Sequence, residues 1–424
     1  MDRRVVITGM GGVTPVGCEV DEIWSNLING ISGIKHISLF EPDEFNMDAR
    51  IAGEVKNFSI ANFFPAERAD SMIKDMDRVT LFCVAASKGA VEDARLPEAL
   101  SSETIDPTMV SIFVGTGIGG ITTTSADIYK LIYQGPKKVG VRSIIRLMPN
   151  APAGQVGIEF GLKGQAKSES TACASGLDAM VDAFYNIKSG LSDIVVTGGT
   201  EACVMPLAVS SFFNMRALSR RIEFPEQACC PFSSERDGFV MAEGSVMFVL
   251  EERESALRRG AKIYAEILGG AGTCDAYHIT APHETGEGAA RAMSLALKRS
   301  KLNPEDIQYV HAHGTSTPLN DARETLAIKS AFGDFAYKLW ISSTKSMTGH
   351  MIGSAGPMGV LASIKTLNTK IVAPTINYQK PDPECDLDYV PNQAREGKHI
   401  QHVMINSLGF GGHNTCLILG ASQN

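Results

Sequence analysis

The sequence predicts an α/β protein built from two similar halves. Three observations point there: short apolar runs alternate with longer helical patterns, several of those runs end in glycine-rich turns, and the two halves repeat one order of features. Candidate strands are Val5-Thr8, Val110-Gly115, Ile194-Thr197, Val246-Leu250, Tyr309-Ala312 and Val403-Asn406, followed by turns such as GMGG, GTGIGG, GGTEA and GFGG. Leu177-Ile187 carries apolar residues at 177, 180, 181, 184 and 187, the spacing of one buried helical face. A second apolar helix is expected over Gly356-Leu367.

The repeat is faint in identity and consistent in pattern. The first half reads VSIFVGTG, then STACASG opening a helix, then DIVVTGGTEA. The second reads IQYVHAHGT, then SSTKSMTGH ahead of a helix, then HVMINSLGFGG. A duplicated α/β unit with a site between its halves is therefore expected. No linker or low-complexity stretch divides the halves, so they should pack as one body.

Composition narrows the function classes. The chain has 424 residues, 44% hydrophobic and 20% charged, enough for one large fold or two fused units. Its formal charge is -8, with no basic tail to offset it, which argues against a nucleic-acid partner but not against local docking patches. Met1-Asp2-Arg3-Arg4 leads into an apolar stretch that stops at Gly9, too short for a signal-peptide core. Nothing later approaches the ~18 apolar residues of a membrane span. A soluble, cytoplasmic protein is expected. The nine cysteines are odd in number and form no CxxC, so a reducing compartment fits better than a disulfide framework.

One cysteine stands out. Cys173 lies in SESTACASGLDAM, among small residues and just ahead of the predicted helix. Helix N-terminal N–H groups would favour its thiolate and lower the thiol's pKa, and small neighbours would let a carbonyl approach. The alternative is a small buried apolar residue, as most free cysteines are. Cys229 and Cys230, being adjacent, read as a surface-loop feature without a role.

Two histidines are candidates for hydrogen-bond donation or proton exchange near neutral pH. His313 follows a strand in VHAHGTSTPLND, and His350 lies in STKSMTGHMIGSAG, five residues after Lys345. His311 would point the same way as His313 on a regular strand, with only one of them reaching the site. The HxH pair also invites a metal, but no recognisable ligand spacing joins it to His350 or Asp321, so no metal site is expected. Gly115, Gly117 and Gly120 satisfy GxGxxG, yet the stretch 134–148 holds Lys137, Lys138, Arg142 and Arg146 and no acidic residue for a ribose. That turn reads as close backbone packing, with Ile118 lining a pocket.

Taken as a set, TACASG at 171–176, RDGFVMAEG at 236–244, AHGTSTPLND at 312–321, STKSMTGHMIGSAG at 343–356 and NSLGFGGHN at 406–414 resemble the β-ketoacyl-acyl carrier protein synthases. The elongating, synthase II type fits best, and the resemblance runs from VVITGMGGVTPVG at 5–17 to the C-terminal strand. It implies a thiolase-like fold, a layered αβαβα sandwich whose half 1–258 carries the nucleophile and whose half 259–424 carries the two histidines. It also implies decarboxylative condensation of malonyl-acyl carrier protein with a Cys-bound acyl chain, the elongation step of fatty acid synthesis. A polyketide-type ketosynthase of the same mechanism is the alternative.

Residue by residue, the resemblance makes Cys173 the acyl acceptor, His313 and His350 the pair acting on malonyl thioester, and Lys345 and Glu324 their support. Phe410 matches a gating phenylalanine whose N–H, with that of Cys173, forms an oxyanion hole. Thr315 and Thr317 match threonines that contact the phosphopantetheine arm of acyl carrier protein. No cofactor beyond that arm is implied. A homodimer is expected, and Arg216, Arg220 and Arg221 are candidates for docking the acidic carrier, unless they belong to a merely solvated surface helix. Departures are mild: SSERDG at 233–238, Arg323, and GHMIGSAG at 349–356 touch no catalytic position but leave chain-length preference open.

Overall fold

A computed structural model of the chain describes residues 3–397 and 399–422; Met1 and Asp2, which open the N-terminal segment read above, lie outside them. Ten strands form the main sheet: β1 (Val5–Val13), β2 (Val110–Gly115), β3 (Ala166–Glu169), β4 (Ile194–Glu201), β5 (Gly244–Glu252), β6 (Ala265–Cys274), β7 (Tyr309–His311), β8 (Trp340–Ser342), β9 (His402–Gly409) and β10 (His413–Ala421). The helices that position the site are α1 (Arg78–Asp93), α2 (Ile121–Gln134), α3 (Ala151–Phe160), α4 (Ser175–Lys188), α5 (Pro206–Asn214), α6 (Glu287–Ser300), α7 (Pro318–Phe332) and α8 (Ala355–Thr369).

The duplication is written in the sheet. From its centre outward the first half runs β1-β5-β4-β2-β3 and the second runs β6-β10-β9-β7-β8. In each half the first two pairings are antiparallel and the last two parallel. The halves join where Val5–Ile7 of β1 pairs antiparallel with Ala265–Ile267 of β6, so the two sheets are one continuous hydrogen-bonded surface.

Layering follows from which faces are apolar. On β5, Val246, Phe248 and Leu250 enter the core between the halves, while Met247 and Val249 enter the core under α1. On β9, Val403 and Ile405 face inward and Met404 faces the outer core beneath α6. Strands buried on both faces read as continuous apolar runs, which is why these were visible in the sequence. Helices α4 and α8 pack against strands of both halves, α1 and α3 cover one outer face, and α6, backed by α7, covers the other. The result is the expected αβαβα sandwich. Burying each Val, Leu or Phe on these faces contributes roughly 1.5–3 kcal/mol.

Several strands run further than their apolar residues predict, or were missed, and glycine is the reason. A Cβ on Gly9 or Gly11 would stand 2.1 Å from the carbonyl oxygens of Ala90 or Ala86, so bare backbone lets α1 lie directly on β1, which continues to Val13. β6 carries Gly269, Gly270 and Gly272, which hide it from any search for apolar alternation. One expectation is corrected: Cys229 and Cys230 lie in a loop, but both are fully buried and not at the surface. Their loop lies against the Ser316 turn, where Cys230 N–H donates to the Ser316 hydroxyl at 3.0 Å.

Candidate active site

Cys173 occupies the single 3-10 turn, Ala172–Ala174, between β3 and α4. The turn is sharp: Ala172 adopts φ 52°, a left-handed conformation that alanine resists, so its neighbours must hold it. The Ser175 hydroxyl does so locally, accepting from Thr171 N–H at 2.9 Å and donating to the Ala172 carbonyl at 2.6 Å. From the other half, Ser407 of β9 donates to the Cys173 carbonyl at 2.8 Å.

The expected electrostatics of this cysteine are overturned. Burial is the largest influence on Cys173 and pushes its thiol up to about 12, against smaller downward pulls from Lys345 and from the backbone N–H groups of Phe410 and Cys173 itself. Removing a thiolate from water outweighs the helix N-terminus, and the resting group is the thiol.

His313 follows β7 on a turn held by Glu324 of α7. The buried carboxylate accepts from the N–H groups of His313 at 2.7 Å and Gly314 at 2.8 Å, and from the Asn406 amide at 3.3 Å. Lys345, also buried, donates its ammonium to the His313 carbonyl oxygen. Burial lowers Lys345 to about 8 while the Glu324 charge pulls it back up. His350 is clamped by the 236–244 segment, donating its N–H to the Val240 carbonyl at 2.7 Å and accepting from Ala242 N–H at 2.9 Å. Phe239 packs edge-on against its ring at 5.2 Å. Burial, then the charge of Lys345, holds both His313 and His350 well below the ordinary histidine value, so both rings are neutral. His311 takes no part: it points into α8 near Gly359 and hydrogen-bonds Thr344 at 3.0 Å.

Cys173, His313 and His350 line one cavity of about 380 Å³, together with Thr315, Thr317 and Phe410. Thr315 and Thr317 share a 2.9 Å hydrogen bond on its wall, and Thr317 also caps the start of α7. The GFGG turn carrying Phe410 approaches the nucleophile because position 409 has no side chain: a Cβ there would stand 2.6 Å from the Thr171 carbonyl. Ile118 is not on this wall; it packs in an apolar cluster with Cys173, Ile352 and Phe212, of which Cys173 and Phe212 do line the cavity. Arg216 lines the cavity mouth. Arg220 is exposed with its guanidinium 5.3 Å from the Phe213 ring, and Arg221 is half-buried, donating to the Cys230 sulfur at 3.2 Å. All three follow the end of α5 on irregular chain and not on a helix.

A Cβ on Gly115 would fall 2.2 Å from Gly176 N, so bare backbone in the turn after β2 admits the start of α4, the close packing expected there. Among the described residues, no group of three His, Cys, Asp or Glu side chains could hold a metal ion, and no helix is long and apolar enough to cross a membrane. Residues that sequence reasoning missed include Phe212 of α5, Phe239, and the 280–282 segment over the cavity, Thr280-Ala281-Pro282. Phe239 lay inside a motif already noticed; the others had no local signal.

A fold of this topology, with a thiol and two neutral imidazoles on one cavity, belongs to a condensing acyltransferase class. The sequence profile of the β-ketoacyl synthase N-terminal domain matches residues 2–256 and that of the β-ketoacyl synthase C-terminal domain matches residues 264–379. The chain belongs to the β-ketoacyl synthase family. It is 45% identical over 415 residues to 3-oxoacyl-[acyl-carrier-protein] synthase 2 of Synechocystis sp., covering 98% of this chain and 97% of that protein. It is 43% identical over 417 residues to the protein of the same name from Staphylococcus aureus, covering 98% of each. Among solved structures, a β-ketoacyl synthase from Burkholderia phymatum superposes with a TM-score of 0.90 at 35% identity, covering 99% of this chain and 100% of that one. A type II PKS ketosynthase, solved in complex with its acyl-carrier protein, matches equally well, with a TM-score of 0.90 at 34% identity and full coverage of both chains.

Proposed function

We propose that this protein catalyses the decarboxylative Claisen condensation of malonyl-acyl carrier protein with an acyl chain held on Cys173, giving β-ketoacyl-acyl carrier protein in the elongation step of fatty acid biosynthesis. One observation carries the reading: the thiol and two neutral histidines, brought from both halves, share a single cavity.

The acyl group first passes from the carrier's pantetheine sulfur to Cys173. The resting thiol gives up its proton as it attacks, and that proton ends on the departing pantetheine thiol. N–H groups of Cys173 and Phe410 stabilise the tetrahedral oxyanion. Malonyl thioester then binds with its carbonyl toward His313 and His350. Loss of CO2 leaves an enolate, whose oxygen gains charge as the bond breaks. Neutral imidazoles can donate to it, and each donor aimed at developing charge is worth ~3 kcal/mol in the transition state. The enolate carbon attacks the Cys173 thioester, the tetrahedral intermediate collapses, and Cys173 leaves as a thiolate that takes a proton from solvent. Glu324 and Lys345 hold the His313 turn throughout. Confining both partners to one pocket contributes through effective molarity.

The rest of the reading follows this scheme. Residues 1–258 bring the nucleophile and 259–424 the histidines; no metal or organic cofactor enters beyond the carrier's phosphopantetheine arm, which Thr315 and Thr317 contact. Arg216, Arg220 and Arg221 meet the acidic carrier at the cavity mouth, and the protein works in the cytoplasm. A homodimer is supported by the exposed apolar side chains of Ile128, Tyr129, Ile132 and Tyr133 along α2. The polyketide-type alternative is supported by the likeness to the type II PKS ketosynthase; the higher identity to the synthase 2 relatives favours fatty acid elongation. Incubation with malonyl- and acyl-carrier protein, reading products by mass, tests the function: an acyl chain two carbons longer with a β-ketone is expected, and its absence refutes it.

A further inference from the structure

Glu201, the last residue of β4, is fully buried and has no part in the condensation scheme. Its carboxylate accepts four hydrogen bonds: from Gly117 N–H at 2.8 Å, Ile118 N–H at 3.2 Å, the Thr116 hydroxyl at 3.2 Å and Gly353 N–H at 3.2 Å. Three come from the turn that carries Ile118. The fourth comes from the turn after His350 that leads into α8. Burial pushes this carboxyl up to about 7 against the pull of these donors; in its ionised form it accepts at every position without presenting a donor, which matches this ring of N–H and O–H groups.

The duplicated fold explains why that tie is needed. In each half a single 3-10 turn opens directly into a central-layer helix: Ala172–Ala174 before α4, and Ile352–Ser354 before α8. Both turns begin on a residue in the left-handed region, Ala172 at φ 52° and Ile352 at φ 44°. For a β-branched side chain such as Ile352 this conformation is strained and must be held from outside. Cys173 is the middle residue of the first turn and Gly353 of the second, so the N–H at Gly353, counterpart of the one at the nucleophile, is taken by Glu201. The turns are in close contact: a Cβ on Gly117 would lie 2.9 Å from Ile352 Cγ2 and 3.3 Å from the Ala172 carbonyl oxygen. Ile118, Ile352 and Cys173 belong to one apolar cluster, and Cys173, Phe212 and Phe239 of that cluster also line the cavity.

We propose that Glu201 is a positioning residue that ties the Ile118 turn to the Ile352 turn and so sets how far the apolar cluster beside Cys173 opens to receive long acyl chains. It touches no reacting atom. The proposal rests on the reading of Cys173 as acyl acceptor.

The test uses the full-length protein with carrier protein bearing butyryl or dodecanoyl chains, following acylation of Cys173 by mass and malonyl decarboxylation separately. Glu201→Gln keeps the side chain's size but turns an amide NH2 against backbone donors. It is expected to lower kcat/KM for the dodecanoyl donor about 10- to 100-fold, chiefly through KM, with butyryl transfer and decarboxylation each within about threefold of wild type. Thr116→Val, which removes one donor to the carboxylate, should show the same selectivity in weaker form and decides the matter if Glu201→Gln does not fold. Equal losses on short and long donors, or decarboxylation falling as far as acylation, would overturn the proposal, as would a dodecanoyl preference unchanged in the folded variants. Wild-type protein that accepts neither chain at Cys173 would instead overturn the acyl-acceptor reading.

Discussion

His313 and His350 stand edge to face, ring centroids 5.4 Å apart with planes at 85°, although one follows β7 and the other follows β8. The Nδ1 atoms of both rings are buried without a hydrogen-bond partner among the described residues. Replacing either by Ala should lower malonyl decarboxylation about 10²- to 10³-fold, the usual effect of losing one donor to developing charge. Transfer of an acyl chain to Cys173 should survive better, and a mass shift of the acylated protein measures it.

The same pair sets a pH dependence. Both rings stay neutral well below the ordinary histidine value of about 6.5, so decarboxylation should show no inflection at that pH. For stability the sign is fixed by linkage. The unfolded chain's imidazoles take up protons below about 6.5 while the folded ones do not, so the stability they contribute is present above that pH and lost as pH falls toward their folded values. Melting temperatures that do not fall on acidification through this range would contradict the neutral assignment.

Cys173→Ala should abolish condensation and acyl-enzyme formation. Decarboxylation of malonyl-carrier protein should continue, because the groups acting on the malonyl carbonyl remain. Full condensation by this variant would remove Cys173 from the mechanism.

Glu324→Gln places an amide donor against the N–H groups of His313 and Gly314, now bonded at 2.7 and 2.8 Å. Leaving a buried donor unsatisfied costs about 1–3 kcal/mol, read as a lower melting temperature. Decarboxylation should fall further than acylation of Cys173, since the displaced turn carries His313.

Gly409→Ala tests the approach of the GFGG turn. The new Cβ would meet the Thr171 carbonyl at 2.6 Å and Cys173 N at 3.3 Å, so the turn must retreat and take the Phe410 N–H with it. A drop in acylation rate of about tenfold or more is expected from a donor moved out of line. Stopped-flow acylation with an acyl-carrier donor measures it.

Replacing Arg216, Arg220 and Arg221 with Glu should raise the apparent KM for carrier-borne substrate more than for a free thioester, with a weaker salt dependence than wild type. Equal effects on both substrates would end the docking assignment. Arg221 should contribute least, because its guanidinium already donates to the Cys230 sulfur.

Sequence order was a good guide wherever chemistry is local. Cys173 ahead of α4, His313 beyond β7 and His350 ahead of α8 could be picked out because short strands, tight turns and helix starts leave marks over a few residues. The duplicated strand order was visible for the same reason. Glycine-rich stretches hid β6 and the far end of β1, since a strand whose side chains are missing carries no alternation to read. Cys229 and Cys230 looked like surface residues because nothing nearby in the chain announces the Ser316 turn that covers them.

By itself the sequence determined the fold class, the family and which thiol and imidazoles to look for on one cavity. Only the tertiary structure decided their electrical state and their support. Helix position alone argued for an ionised Cys173; burial between the two halves pushes its thiol up to about 12. Glu201 became visible only once the turns at Ile118 and Ile352, far apart in the chain, met around it. Burial and convergent hydrogen bonds are sums over residues distant in sequence, and no window of neighbouring letters contains them.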